Sequence, residues 1–150
     1  VNREPIYAAV FAYFAALTVG GSPAFLKATR RLDTWENVGK EEQPALLMQQ
    51  RREVANYRKG LPTIWTLDVA LFLYIHTGAD NDKTLIPSQI LNPLLDAIEN
   101  SLTIDDHSNN ACTLGGLVSH CAISGSVEIF QGNLGDEEVA IVPLNILVTP

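Results

Sequence analysis

The stretch TIWTLDVALFLYIHT, from Thr63 to Thr77, decides the fold. Trp65, Leu67, Val69, Leu71, Leu73 and Ile75 share one parity, while Thr66, Asp68, Tyr74 and His76 share the other. Successive side chains of a strand point to opposite faces, so this period of two predicts a strand with one face on a core. Upstream, Pro44 to Gln50 and Phe25 to Leu32 read as two shorter strands, separated by a polar loop that holds Trp35, Glu36, Glu41 and Glu42. Between Gln50 and Thr63 lies a polar connection, Arg51 to Pro62, which is long for a hairpin loop; such loops are functional or become ordered with a partner.

Helical periodicity appears twice. Ile6, Val10, Phe14 and Leu17 predict a first helix over Arg3 to Thr18, with Pro5 near its start and Gly20, Gly21, Ser22 and Pro23 ending it. After a turn-rich Gly78 to Lys83, the pair Asn92 and Pro93 reads as cap and first turn of a second helix. Its apolar stripe is Leu91, Leu94, Leu95, Ile98 and Leu102. Leu117, Cys121, Ile123, Val127 and Ile129 then alternate along a strand that Gly125 bends. A turn at Gly132 to Gly135 leads to a last strand, Glu138 to Val148, where Pro143 marks an edge or a bulge because it cannot donate to a ladder. The expected architecture is a single α+β domain over residues 1–150, a mostly antiparallel sheet of about 4–5 strands with both helices on one face.

Composition narrows the function. Hydrophobic residues make up 47% of the 150-residue chain and charged residues 18%, which suits one packed core without low-complexity tracts. No apolar run approaches the ~18–20 residues that cross a membrane, and no export signal or anchor is expected. The chain is read as a mature start after loss of the initiator Met, in a reducing cytoplasm; its two cysteines are too few for a disulfide framework. Net charge is −7, and all ten Lys and Arg residues lie between Arg3 and Lys83. From Thr84 to Pro150 there are eight acids and no Lys or Arg. That balance argues against nucleic-acid binding. It suits a head-to-tail contact between copies, which closes into a ring when the rotation allows; solvated charge on separate loops is the other reading.

No chemistry assembles from the residues. The glycine pairs Gly20-Gly21 and Gly115-Gly116 lack the spacing of a phosphate cradle, so no nucleotide or other cofactor is expected. His107, Cys112, His120 and Cys121 are zinc-type ligands, but His120 and Cys121 are consecutive on an expected strand and point apart, so no metal is expected. No Ser or Cys has a base placed to activate it, and no catalytic residue is assigned. The chain is expected not to be an enzyme. Arg31, Trp35, Arg52, Tyr57 and Arg58, in or beside expected loops, are of the types that anchor protein interfaces. Trp35 could equally fold back over the sheet.

These residues also carry a resemblance. Arg3-Glu4-Pro5-Ile6-Tyr7-Ala8-Ala9-Val10-Phe11, Arg30-Arg31-Leu32 with Trp35, Gln43-Pro44-Ala45-Leu46, Lys59-Gly60-Leu61-Pro62 and Trp65-Thr66-Leu67 form its first half. Leu91 to Glu99, Thr113-Leu114-Gly115-Gly116-Leu117-Val118 and Gly132-Asn133-Leu134-Gly135-Asp136 form its second. In order and spacing, over nearly the whole chain, they resemble the tail terminator, or tail completion, family of minor tail proteins of long-tailed bacteriophages. The resemblance implies a small α+β fold and a ring, hexameric in the family. Such a ring caps the tail tube protein, ends its polymerisation and meets the neck and head-completion proteins. It implies location in the virion at the head-proximal end of the tail, and in the host cytoplasm during assembly. Genomic DNA would pass through the ring without specific binding, along a lumen lined by acids such as Asp105, Asp106, Asp136, Glu137 and Glu138. A head-closure or neck connector protein and an assembly factor that never enters the virion are the alternatives.

Overall fold

The computed structural model describes residues 1–132 and 135–150. Helix α1, Arg3–Ala15, comes first and buries Tyr7, Val10 and Phe14. It ends earlier than the periodicity suggested, because Leu17 leads into a ribbon of β1, Thr18–Val19, and β2, Ser22–Pro23. The two residues that turn that ribbon, Gly20 and Gly21, have φ of +60° and +82°, the positive angles a tight two-residue turn demands. Strand β3 is only Lys27–Thr29 and runs parallel to the start of β4, Ala45–Asn56. Two short 3-10 turns, Trp35–Asn37 and Lys40–Glu42, occupy the polar loop between them.

Strand β5, Ile64–His76, is the spine of the sheet. It pairs antiparallel with β4 on one side and with β8, Glu137–Val148, on the other. Helix α2, Ser88–Ser101, lies between β5 and the last strands in sequence and buries Leu91, Leu94 and Ile98. Strands β6, His120–Ile123, and β7, Glu128–Gln131, both pair with the free side of β8. The result is a six-stranded mixed sheet, antiparallel except at β3, and an α+β fold.

One core explains the arrangement. Leu67, Val69, Leu71, Leu73 and Ile75 of β5 pack with Leu46 and Met48, with Ala140, Val142, Leu144 and Ile146, and with the buried faces of both helices. Their shared parity puts α1 and α2 on the same face of the sheet. On the other face Ala45, Leu47 and Tyr74 form a smaller cluster with Val38, and Trp35 packs against it. The rest of that face is open.

Several expectations are corrected. The residues Arg51 to Asn56 are strand, not loop: β4 continues to Asn56, paired with Ile64, with a bulge between Gln50 and Arg52. The period of two is invisible there because this outer half of the hairpin has little core beneath it, so polar residues occupy both faces. Phe25 to Leu32 is not one strand, since Ala24 and Phe25 turn into the core before pairing begins at Lys27. Pro93 sits inside α2 rather than in its first turn; the helix begins five residues earlier, where Ile90 N–H donates to the Pro87 carbonyl at 2.9 Å.

The strand expected over Leu117 to Ile129 is two strands separated at Gly125, whose φ of +110° turns the chain. Pro143 is neither on an edge nor at a bulge: it lies within β8, paired with Ala70. Its own carbonyl accepts from Ser124 N–H at 3.1 Å, so its missing N–H points to that same side, into the gap between β6 and β7 where no ladder partner waits. Break and proline therefore match. Of the expected turn at Gly132 to Gly135, Asn133 and Leu134 lie outside the described residues.

Candidate interaction surfaces

The β4–β5 hairpin carries the most exposed of the candidate residues. Its ladder ends at Asn56 and Ile64, and Leu61 N–H donates to the Arg58 carbonyl at 3.0 Å to close the tip. Gly60 supplies the positive φ, +82°, that this turn uses. Below the tip the hairpin is clamped to α1. Tyr7 hydroxyl donates to Glu53 Oε1 at 2.9 Å and Arg3 Nε to Glu53 Oε2 at 2.6 Å, while the Arg3 guanidinium stands 4.8 Å over the Trp65 ring. Arg3 holds the Glu53 carboxyl below its usual range, and burial together with Glu53 pushes the Tyr7 hydroxyl up to about 12. Sequence reasoning missed this clamp, for it joins residues some fifty positions apart with no local signal.

The five residues expected to anchor an interface occupy three places. Tyr57 and Arg58 are exposed together at the hairpin tip. Arg52 lies on the open sheet face, where its Nε meets Asp68 Oδ2 at 2.8 Å; Asp68 Oδ1 accepts from Asn145 Nδ2 at 2.8 Å. These side chains, with Arg51, Ser124 and Pro143, line a shallow hollow of roughly 320 Å³. Arg31 is exposed just past β3, where its N–H meets Thr29 Oγ1 at 3.0 Å. Trp35 takes the second of its two readings: it folds back, its ring centroid 6.2 Å from that of Tyr74, and helps cover the sheet.

The five acids expected along a lumen do not form one surface. Asp105 and Asp106 lie in the loop after α2, near the far end of β8, while Asp136, Glu137 and Glu138 stand at its start. Asp136 and Glu138 are buried, which removes them as lining residues. Asp136 Oδ2 accepts from Asn81 N–H at 2.9 Å, and Glu138 Oε1 accepts from Ser88 Oγ at 2.6 Å, so both tie loops to the sheet. Glu137 is half-exposed, and burial raises its carboxyl above the usual range. Asp105 is exposed, yet its carboxylate accepts from Thr113 N–H at 2.6 Å, Thr113 Oγ1 at 2.9 Å and Gly115 N–H at 2.8 Å. Those backbone donors hold it down at about 2. Asp106 likewise accepts from Ser108 and Asn109 N–H groups.

Val127 and Ile129 are a further correction. Expected to face inward, they are exposed together with Phe130. Strand β7 is the last strand at one corner of the sheet, and beyond the turn at Gly125 it passes outside the cover of the helices.

The zinc-type residues are brought near one another without forming a ligand set. Cys112 N–H donates to His120 Nδ1 at 3.1 Å and Cys121 N–H to the Cys112 carbonyl at 2.8 Å, while His107 is exposed in the loop. Burial pushes the Cys121 thiol up to about 12, so it stays protonated at neutral pH in the folded chain. Among the described residues no group of three or more His, Cys, Asp or Glu side chains is placed to hold a metal ion. No helix among them is long and apolar enough to cross a membrane. In comparisons with known proteins, no family model matches the chain and no curated protein matches its sequence. What the fold defines is therefore a class, an α+β domain with a projecting hairpin and an exposed sheet corner.

Proposed function

We propose that this chain is a structural subunit of a long-tailed phage, the tail terminator: a ring, hexameric in the family it resembles, at the head-proximal end of the tail tube. In that role it ends polymerisation of the tube protein and gives the neck and head-completion proteins a surface to join. The genome passes through the ring without specific binding, and no step of this work is enzymatic. The observation that carries the reading is the β4–β5 hairpin tip, where Tyr57 and Leu61 stand exposed beside Arg58 and Lys59. Exposed aromatic and apolar groups next to cations are the material of an interface, and a rigid two-stranded stalk clamped by α1 presents them well clear of the core. The charge asymmetry of the chain supports the same reading, since all ten Lys and Arg residues lie between Arg3 and Lys83 and only acids follow, which suits a head-to-tail contact between copies.

The test is quantitative mass spectrometry of purified particles. The reading expects this chain in every particle at a few copies, on the order of one ring, against a much larger number of tube subunits. Its absence from particles that are otherwise complete would make it an assembly factor and overturn the proposal.

A further inference from the structure

Two exposed patches of opposite charge occupy diagonally opposite corners of the sheet. The first is the hairpin tip: Tyr57 is 72% and Leu61 59% exposed, flanked by Arg58 and Lys59, which make no ion pair among the described residues. The second is β7, where Ile129 is 50% and Phe130 54% exposed and Val127 stands beside Glu99 at the end of α2. Glu128 and Glu99 are exposed and make no ion pair among the described residues. The tip lies where Trp65 pairs with Val148, and β7 pairs with Glu138 to Ile141, seven or more residues back along β8. The corners are thus separated by about 23 Å along the strands and about 14 Å across three inter-strand spacings.

We propose that the hairpin tip of one copy docks on the β7 corner of the next, so that the chain assembles head to tail. Neither patch suits its own copy's twin. Tip against tip would set Arg58 and Lys59 against their like, and β7 against β7 would do the same with Glu128. Tip against β7 pairs cations with carboxylates and covers Tyr57 and Leu61 together with Val127 and Ile129, which stand on the helix-side face of β7 beside Glu99. An edge strand with large apolar side chains exposed on both faces is otherwise an open template for wrong pairing, and a dedicated occupant removes that hazard. Because the two patches are different and sit on opposite corners, the contact is heterologous and propagates until it closes. The proposal rests on the ring reading for the closed shape, but the contact itself stands on the two patches.

A charge swap tests it on the full-length protein. The variants R58E/K59E and E99K/E128K are purified and their folding checked by circular dichroism. Each is then examined alone and as an equimolar mixture by sedimentation velocity over a hundredfold concentration range, beside the wild type. The wild type is expected to self-associate, each variant to do so at least tenfold more weakly, and the mixture to recover the wild-type mass, since each tip then meets a groove of opposite charge. In the second arm, Leu61→Cys and Ile129→Cys in one chain are expected to give a ladder of disulfide-linked oligomers under mild oxidation. Variants that associate like the wild type, a mixture that stays dissociated, monomers alone in the second arm, or a wild type that is monomeric throughout would each overturn the contact. None of these results touches the tail-end reading, which particle morphology decides.

Discussion

The Tyr7 hydroxyl donates to Glu53 Oε1 at 2.9 Å, and this bond fixes the first helix to the outer half of the hairpin that projects from the sheet. Glu53 is the one residue of that half of β4 whose carboxylate faces back over the helix side, beyond the bulge that resets the parity at Arg51. With the Arg3 contact it makes a stalk of what the sequence suggested was a free loop. Tyr7→Phe removes one hydrogen bond to a charged acceptor and is expected to cost about 1.5–3 kcal/mol, reduced toward about 1 by the remaining Arg3 partner. Urea unfolding checks the stability, and amide exchange at Asn56 and Ile64 should rise with it; an unchanged hairpin would mean that the stalk is held by its ladder alone.

Gly125 is a second point of control. At φ +110° an L side chain is strained, and a Cβ there would sit 3.5 Å from Pro143 Cγ. Gly125→Val is expected to lose at least about 1 kcal/mol, on the scale of backbone strain at such angles, and to release β7 before the rest of the sheet. Hydrogen exchange at Ile129 and Phe130 would report that release, and equal protection in the variant would count against the break-and-proline account.

The loop after α2 should respond to acid. Asp105 is held at about 2, below its ordinary 3.8, so the stabilisation it contributes is fully present above about pH 4 and is lost as pH falls through about 2. Amide protection at Thr113 and Gly115 is expected to decline over that window in the wild type. In Asp105→Asn it should be low and flat with pH; a variant that keeps the acid transition would show that another carboxylate governs the loop.

Both cysteines are buried, and burial pushes their thiols up from the usual value, Cys121 the further of the two. Neither is expected to react with a water-soluble disulfide reagent at pH 8 in the folded protein, and both should react within minutes in denaturant. Fast labelling of Cys112 in the native state would place the loop at His107 to Ala111 in rapid opening.

How much of this was legible in the sequence depended on the core. Wherever a strand or helix rests on it, as from Leu67 to Ile75 or from Leu91 to Ile98, burial writes a period into the residues and the period was read correctly. The hairpin's outer half and β7 rest on no such core, so Arg51 to Asn56 looked like loop and Ile129 looked buried. Proline misled twice, for different reasons: the missing N–H of Pro143 faces the gap between β6 and β7, whereas Pro93 sits inside α2 and leaves the Gln89 carbonyl without its helical donor on an exposed face of the helix. Of the residues expected to anchor an interface, Tyr57 and Arg58 stand exposed at a turn, which aromatic and cationic types beside Gly and Pro signal. Trp35 carried the same signal and folded inward, since the open face of the sheet lay within its reach.

As a tail terminator, this chain would decide where the tail stops. Electron microscopy of particles made with the gene for this chain disabled, and everything else in the phage intact, tests it most directly. Overlong tails without heads are expected, because nothing then ends polymerisation of the tube or offers the neck a surface. Tails of normal length that fail to join filled heads would contradict it and make this chain a neck protein.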